Sequence, residues 1–471
     1  MSKKSLSVFM LAMINVAAIG SVKNWPTMAE YGFASVFYML LATLIFFLPT
    51  ALVSAELATG WPKSGGVFAW VKEAFGHRAG FLSIWCLWIE NVIWYPTMLG
   101  FIAASVSYIF SPSLAESKMF IFFFGVAIFW IATFVNLLGI KTSAWISSVG
   151  VVLGTFIPGL FIIALGLAWY FGGSPLHVNF SWEGFIPNMS SVSQLVFFTG
   201  IILSFCGLEM SAIHARDVKD PKRDYPRAIL VTVLLVLGLS ILGVLAISMV
   251  IPQNDISLTA GTMQAIAAFV DAYNLRSMLA IMGGLVVIGA IASLSTWIVG
   301  PTRGVLAAAE SGDLPPRCRT LNKHGMPSYL LFLQAIVVTA LSLLFVFMPT
   351  ASAAYWILTV LVAQVYLVMY LLMFAAAIKL RYKRPDVPRA YRIPGGNLGV
   401  WIVSGLGILS SLFALFIGFF PPAQIATGSS TFYVSFLVLG MIFVCIGPSI
   451  ILWFKKPSWN KKLAHEGKGD D

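Results

Sequence analysis

The stretch Leu203 to Glu209 (LSFCGLE) places a carboxylate and a glycine inside an apolar run that starts near Val192. An ionisable side chain within a membrane segment costs roughly 2.5–3.5 kcal/mol on insertion scales, so such groups usually face a cavity or a partner. Gly207 has no Cβ and lets the backbone leave the helix next to Glu209. The pattern predicts a broken transmembrane helix that carries a buried acid at a functional site.

The composition of the whole chain indicates a polytopic membrane protein. Of its 471 residues, 59% are hydrophobic and 10% are charged, whereas soluble proteins contain about 25% charged residues. Apolar runs of about 20 residues, the length that crosses the hydrocarbon of a bilayer, recur along the sequence. The N-terminus runs straight into an apolar stretch without a small-residue cleavage site, so we interpret that stretch as the first helix and not as a removable signal peptide.

The net charge of +11 is distributed in a way that predicts topology and argues against nucleic acid as a partner. With twelve helices and a cytoplasmic N-terminus, nearly all of the 29 Lys and Arg residues fall on cytoplasmic segments. Lys118 and Arg276 fall outside, and Lys23 falls within the membrane. This asymmetry is the positive-inside pattern. We expect both termini to be cytoplasmic and the basic loops to face the anionic lipid of the bilayer.

The sequence offers no residues for enzymatic or cofactor chemistry. The four cysteines are scattered, without a spacing that suggests a metal site or a disulfide framework. No nucleophile–base pair, phosphate-binding loop or metal-ligand cluster is evident in the sequence. We therefore expect a protein that is not an enzyme and that needs neither a cofactor nor a metal.

The first helix, from about Ser7 to Tyr31, is also interrupted. Gly20 and Pro26 bracket a short piece that contains Lys23, and a proline lacks a backbone donor and disfavours helix at the preceding residue. Broken backbone at membrane depth is tolerated only where it is buried in protein or lines a cavity. Glu90, in the apolar middle of the third helix, is a second unexpected carboxylate.

The two interrupted helices are the first and the sixth, which occupy corresponding places in two five-helix halves of opposite topology. Transporters built from inverted repeats bind substrate between two such helices near the bilayer midplane. Half-helix N-termini suit a carboxylate and free carbonyl groups suit an ammonium, so an amino acid zwitterion satisfies both. We predict a first repeat over 1–171, a second over 172–380, two further helices over 381–455 and a short cytoplasmic tail over 456–471.

The sequence resembles the amino acid–polyamine–organocation transporters, and among them the bacterial glutamate/GABA antiporters of acid resistance. The segments that carry the resemblance are Ala55-Glu56-Leu57, PKSGGVFAWV (62–71), Gly207-Leu208-Glu209, RDYP (223–226), STWIVGPTRG (295–304) and IPGG (393–396). It implies an all-α integral membrane protein of 12 transmembrane helices, with a LeuT-like 5+5 inverted repeat, discontinuous helices 1 and 6, and two extra C-terminal helices. It also implies sodium-independent amino acid exchange in a bacterial inner membrane. The auto-inhibitory C-terminal plug of those antiporters is expected to be absent.

The resemblance supports only part of the predicted site. The family's sixth-helix glutamate on the transport path matches Glu209, and its tenth-helix tyrosine matches Tyr370. Its first-helix tyrosine falls on Lys23 and its eighth-helix glutamate falls on Ser293, so we expect a more cationic pocket that favours an anionic or neutral substrate over a polyamine. The predicted substrate-binding residues are Ile19, Gly20, Ser21, Lys23, Ser204, Phe205, Gly207, Glu209, Ser293 and Tyr370.

The roles of the buried charges leave several interpretations open. Lys23 is either paired with Glu90 or Glu209, or recognises a substrate carboxylate, or titrates during transport. Glu209 either contacts substrate, holds a proton or ties the sixth helix to a neighbour, and Glu90 is interpreted first as a partner of Lys23. For the protein as a whole, proton-coupled amino acid uptake is the alternative to exchange, and a transporter-like amino acid sensor is an alternative of another class.

Overall fold

The computed structural model describes residues 7–61, 66–139, 150, 152–209, 220 and 223–460. Within these residues the secondary structure is helical, apart from one isolated bridge between Leu321 and Pro327. Part of the glycine-rich motif (62–65), the end of the sixth helix (210–219) and most of the predicted tail (461–471) lie outside the described residues.

The helices used below are labelled in chain order, and ten of them are long and apolar enough to cross a membrane. The five shorter ones are α1, α2, α4, α8 and α10. The labels are α1 (Val8–Ile19), α2 (Trp25–Ala29), α3 (Ala34–Gly60), α4 (Val67–Phe75), α5 (His77–Phe110), α6 (Lys118–Leu137), α7 (Leu153–Phe171), α8 (Phe198–Ser204), α9 (Pro226–Val250), α10 (Gly261–Ala272), α11 (Ser277–Glu310), α12 (Ser328–Phe347), α13 (Ala351–Lys383), α14 (Gly396–Ile417) and α15 (Ser430–Trp453). The ten long helices of the described residues coincide with predicted helices two to five and seven to twelve. The multi-pass helical membrane protein is thereby confirmed, and the full count of twelve stays a prediction.

The first interrupted helix breaks where the sequence predicts. The Gly20 amide donates to the Val16 carbonyl at 2.7 Å and ends α1. A Cβ at Gly20 would lie only 2.6 Å from that carbonyl oxygen, so the close approach requires glycine. Ser21 is extended and a 3₁₀ turn follows over Val22–Asn24. α2 then begins with Pro26 in its first turn, where a missing amide hydrogen costs nothing.

The second break also lies at its predicted place, between α8 and Glu209. α8 ends at Ser204, and Gly207 has a φ of +109°, a conformation that residues with a Cβ rarely adopt. Leu208 and Glu209 then form a short 3₁₀ turn. Both interruptions therefore depend on a glycine, although for different geometric reasons.

The long helix α13 occupies the centre of the fold and positions the site. Its most apolar window is 83% buried, against 22% for the peripheral α15. It packs against α5, α14 and α8, while α5 also packs against α11. The breaks after α1 and α8 thus face side chains from α5, α11 and α13.

A buried ion cluster joins α3 to α13 and to the loop that follows α13. The Glu56 side chain, 2% exposed, accepts hydrogen bonds from the Arg381 guanidinium and from the backbone amide of Ile393, at 2.9 Å for the amide. Arg389 Nε lies 3.3 Å from the second carboxylate oxygen of Glu56. Because both arginines and the amide converge on one carboxylate, its removal leaves two buried cations without their anion.

We predict that Glu56→Gln lowers the free energy of unfolding by roughly 3–5 kcal/mol, the usual cost of breaking a buried ion pair by removing one partner. Thermal unfolding of the purified protein in detergent measures the change. The matched control is Glu73→Gln, because Glu73 contacts Arg384 at 3.0 Å in a pair that is partly exposed to solvent. The control should cost about 1 kcal/mol or less. Equal losses in the two variants would contradict the assignment of Glu56 as a structural anchor.

Candidate functional site

The two helix breaks line the same cavity, whose volume is about 80 Å³. That is several times the ~10–15 Å³ that one water molecule requires. Its walls come from both breaks and from three long helices, α5, α11 and α13. They include Ile19, Gly20, Ser21, Lys23 and Asn24, then Leu203, Ser204 and Cys206, and finally Glu90, Asn91, Trp94, Met98, Ser293, Trp297, Val362 and Tyr366.

The structure brings most of the predicted site residues to this cavity. Those that line it are Ile19, Gly20, Ser21, Lys23, Ser204, Ser293 and Glu90. Phe205 points elsewhere, because its ring stacks on Phe47 with centroids 5.0 Å apart and an interplanar angle of 10°. Gly207, Glu209 and Tyr370 are buried behind the cavity wall and do not line it.

Glu209 belongs to a hydrogen-bonded group that ties the second break to α13. Tyr366 Oη donates to Glu209 Oε1 at 2.6 Å, and Tyr370 Oη donates to Glu209 Oε2. The Gly207 amide in turn donates to Tyr370 Oη at 2.8 Å. Glu209 therefore reaches the cavity through Tyr366, which lines it. This geometry is the arrangement expected of an acid that ties the sixth helix to a neighbour.

Tyr366 is the functional candidate that sequence reasoning missed. It lies four residues before Tyr370, so the two phenols share one face of α13. That four-residue spacing could have indicated a pair of phenols acting together. Because α13 is apolar along its length, however, a tyrosine in it is ordinarily interpreted as a packing residue. Trp94 and Trp297 were missed for the same reason, and their rings, 6.3 Å apart, form part of the cavity wall.

Lys23 contacts neutral groups and forms no ion pair with a carboxylate of the described residues. Its Nζ donates to Thr97 Oγ1 at 3.0 Å and lies 4.8 Å from the Tyr355 ring centre and 5.3 Å from that of Trp94. The predicted pairing with Glu90 or Glu209 is thus not formed here. Instead, Glu209 accepts hydrogen bonds from the two tyrosines and Glu90 accepts one from an asparagine.

The ammonium of Lys23 keeps donor capacity for a ligand. An ammonium has three donor hydrogens, and the bond to Thr97 is the one that the side chain makes within the described part of the chain. The backbone amide of Ser21, on the same wall, has no acceptor among those residues. Ser21 and Lys23 both line the cavity, so this side of it suits a carboxylate.

Glu90 supplies the cavity with a carboxylate that is 3% exposed. Asn91 Nδ2 donates to Glu90 Oε1 and, at 2.8 Å, to the Leu87 carbonyl one turn earlier. The cavity therefore presents a cation on one side, an acid on another and aromatic rings between them. Among the residues that the structure describes, no group of three His, Cys, Asp or Glu side chains could hold a metal ion.

The sequence is similar to those of known transporters. Residues 5–444 match the family described as amino acid permease. The chain is 44% identical to an uncharacterised transporter of Legionella pneumophila over 99% of both chains. It is 35% identical to a glutamate/gamma-aminobutyrate antiporter of Lactococcus lactis, over 96% of this chain and 91% of that one. A probable agmatine/putrescine antiporter of Lactococcus lactis is 22% identical over 95% of each chain.

We predict that Gly207→Ala lowers the free energy of unfolding by about 1–3 kcal/mol, because alanine is strained at a φ of +109° although a Cβ there would meet only ordinary contacts. Thermal unfolding measures the loss. Gly238→Ala in α9 is the matched control, since nothing lies within 4 Å of a Cβ built at Gly238. Alanine in a helix interior should leave stability unchanged or raise it slightly. A neutral Gly207→Ala variant would show that the break does not depend on this glycine.

Proposed function

The chain belongs to the amino acid permease family, and we propose that it is a secondary amino acid exchanger that works by alternating access in a bacterial inner membrane. The observation that carries the proposal is the single cavity lined by two helix breaks. Substrate binding at paired broken helices is the usual arrangement in carriers built from inverted repeats. The likeness to glutamate/gamma-aminobutyrate antiporters over most of the chain supports exchange as the mode of transport.

The proposal includes the finer architecture predicted from the sequence. α1 with α2 belongs to the first helix and α8 belongs to the sixth, which gives twelve helices in a LeuT-like arrangement. The repeats then span 1–171 and 172–380, followed by two helices over 381–455 and a tail over 456–471. The N- and C-termini are cytoplasmic, and the bundle that carries the broken helices rocks against a scaffold.

We infer that the substrate's backbone groups bind at the breaks. Ser21, whose backbone amide has no acceptor among the described residues, lines the cavity and favours the substrate's backbone carboxylate there. Glu90 and the carbonyl groups released at the breaks favour the substrate's ammonium. Glu209 and Tyr370 act behind the wall, through Tyr366, and hold the second break against α13.

Side-chain selection is assigned to Lys23 and Ser293. Lys23 adds a positive charge to the pocket. Ser293 is uncharged at the position where the antiporters that this chain resembles carry an acid. A pocket of this polarity discriminates against a second cationic group on the substrate. The substrates proposed are accordingly amino acids with an anionic or neutral side chain.

Counterflow in proteoliposomes tests the mode of transport. We predict that unlabelled substrate inside accelerates uptake of labelled substrate, with glutamate, glutamine and GABA as the first probes, and that a sodium gradient has no effect. The acceleration follows because an exchanger reorients only when it is loaded. Uptake driven by an imposed pH gradient without internal substrate would favour proton symport. Binding without any uptake would favour a sensor.

Lys23→Met should relax selectivity between glutamate and glutamine by about tenfold, the equivalent of one lost charge-assisted contact. Competition against labelled substrate in proteoliposomes measures the ratio. Lys23→Arg keeps the charge and should keep the preference, while Lys23→Ala should behave like Lys23→Met. An unchanged order of preference in both neutral variants would show that Lys23 does not select the side chain.

A further inference from the structure

A second polar pocket, of about 310 Å³, lies at the far end of the first interrupted helix. It forms where the turn after α2 meets the segment before α8, the turn after α9 and the loop after α14. Its wall includes Glu30, Tyr31, Gln194, Gln253, Asn254 and Gln424. Among the residues that the structure describes, none lines both this pocket and the central cavity. The predicted topology places this end of the helices outside the cell.

Glu30 is the charged group of this pocket and has no partner for its charge within the described residues. The residue is 6% exposed, and its carboxylate forms neither an ion pair nor a hydrogen bond there. Its backbone carbonyl accepts from Gln253 Nε2 at 2.9 Å, which fixes the residue at the pocket wall. A buried carboxylate without a donor is costly, so the arrangement calls for a cationic ligand.

The rest of the wall suits an organic ammonium better than an anion or a bare metal ion. Uncharged amide side chains line the pocket together with Glu30, and no lysine or arginine of the described residues lines it. Amide carbonyls accept hydrogen bonds from an ammonium. A metal ion would need several oxygen ligands converging within about 2.6 Å, whereas one carboxylate in about 310 Å³ leaves room for an organic group.

We propose that this pocket is an outer binding site for the ammonium group of an amino acid or a small primary amine, with Glu30 as the counter-ion. The site is connected to the moving parts of the carrier. Tyr31, the next residue, accepts a hydrogen bond at its Oη from the Phe198 amide at 3.1 Å, and Phe198 begins α8. Occupancy at Glu30 therefore acts on the outer halves of both broken helices. The proposal that the bound ligand is an amino acid rests on the proposed function. The proposal that Glu30 binds an ammonium group does not depend on it.

Thermal unfolding of the full-length purified protein tests the site without requiring transport. The probes are n-butylammonium, glutarate and sodium, each as a chloride or sodium salt at matched ionic strength. n-Butylammonium should raise the melting temperature in a saturable way, because a ligand that binds only the folded state stabilises it. When Ser293→Phe fills the central cavity, glutarate at the same sodium concentration should give no further shift. A saturable shift with sodium alone would overturn the ammonium assignment in favour of an inorganic cation.

Three variants locate the effect. Glu30→Gln should need at least about tenfold more n-butylammonium for the same shift, the loss expected for a hydrogen bond to a charged group. Glu116→Gln, which removes an exposed carboxylate that lines neither pocket, is the charge-matched control and should behave like the wild type. Ser293→Phe fills the central cavity and should abolish exchange while the shift persists.

Two results would overturn the proposal. One is an unaltered n-butylammonium dependence in Glu30→Gln. The other is loss of the shift in a Ser293→Phe variant that still unfolds cooperatively, because the amine would then be binding in the central cavity. A failure of counterflow in the wild type leaves these binding results unaffected, so the two proposals fail independently.

Discussion

A helix that ends inside hydrocarbon must find a partner for every backbone group that it releases, and this constraint organises the structure. At the first break, Thr262 Oγ1 donates to the Val22 carbonyl at 2.8 Å. At the second, the Gly207 amide donates to Tyr370 Oη. The Ser21 amide, by contrast, has no acceptor among the described residues, and Ser21 lines the cavity. The Val22 carbonyl and the Gly207 amide thus have hydrogen-bond partners within the protein. The Ser21 amide stays available to a substrate carboxylate.

The three buried charges around the two breaks follow the same logic, since each is held by neutral neighbours. Lys23 contacts a threonine and two aromatic rings, Glu90 an asparagine, and Glu209 two tyrosines. A direct pair between Lys23 and either acid would neutralise the cavity and leave little to recognise a ligand. Because each charge has its own neutral hydrogen-bond partner, burial is less costly and both a positive and a negative group stay available to a ligand. A zwitterion needs both groups to bind.

The backbone of the site was predictable from sequence, and its side-chain partners were less so. Gly20, Pro26 and Gly207 mark the breaks through local chemistry, and the apolar runs locate the ten long helices. The partner of Lys23 depends on how α5 is rotated, which an apolar run without a polar stripe does not specify. Glu209 behind Tyr366, and Phe205 stacked on Phe47, depend on tertiary packing for the same reason. The departures from the antiporter pattern at Lys23 and Ser293 were visible from the sequence, and both residues line the cavity.

A structure of the protein with the substrate that drives the fastest counterflow tests the central claim most directly. The binding site proposed lies between the two breaks, so ligand density should lie between Ser21 and Ser204, with the carboxylate within hydrogen-bond reach of the Ser21 amide and the side chain directed at Lys23. Density that contacts neither break, or a bound substrate with Lys23 turned away from it, would contradict the assignment of this cavity as the transport site.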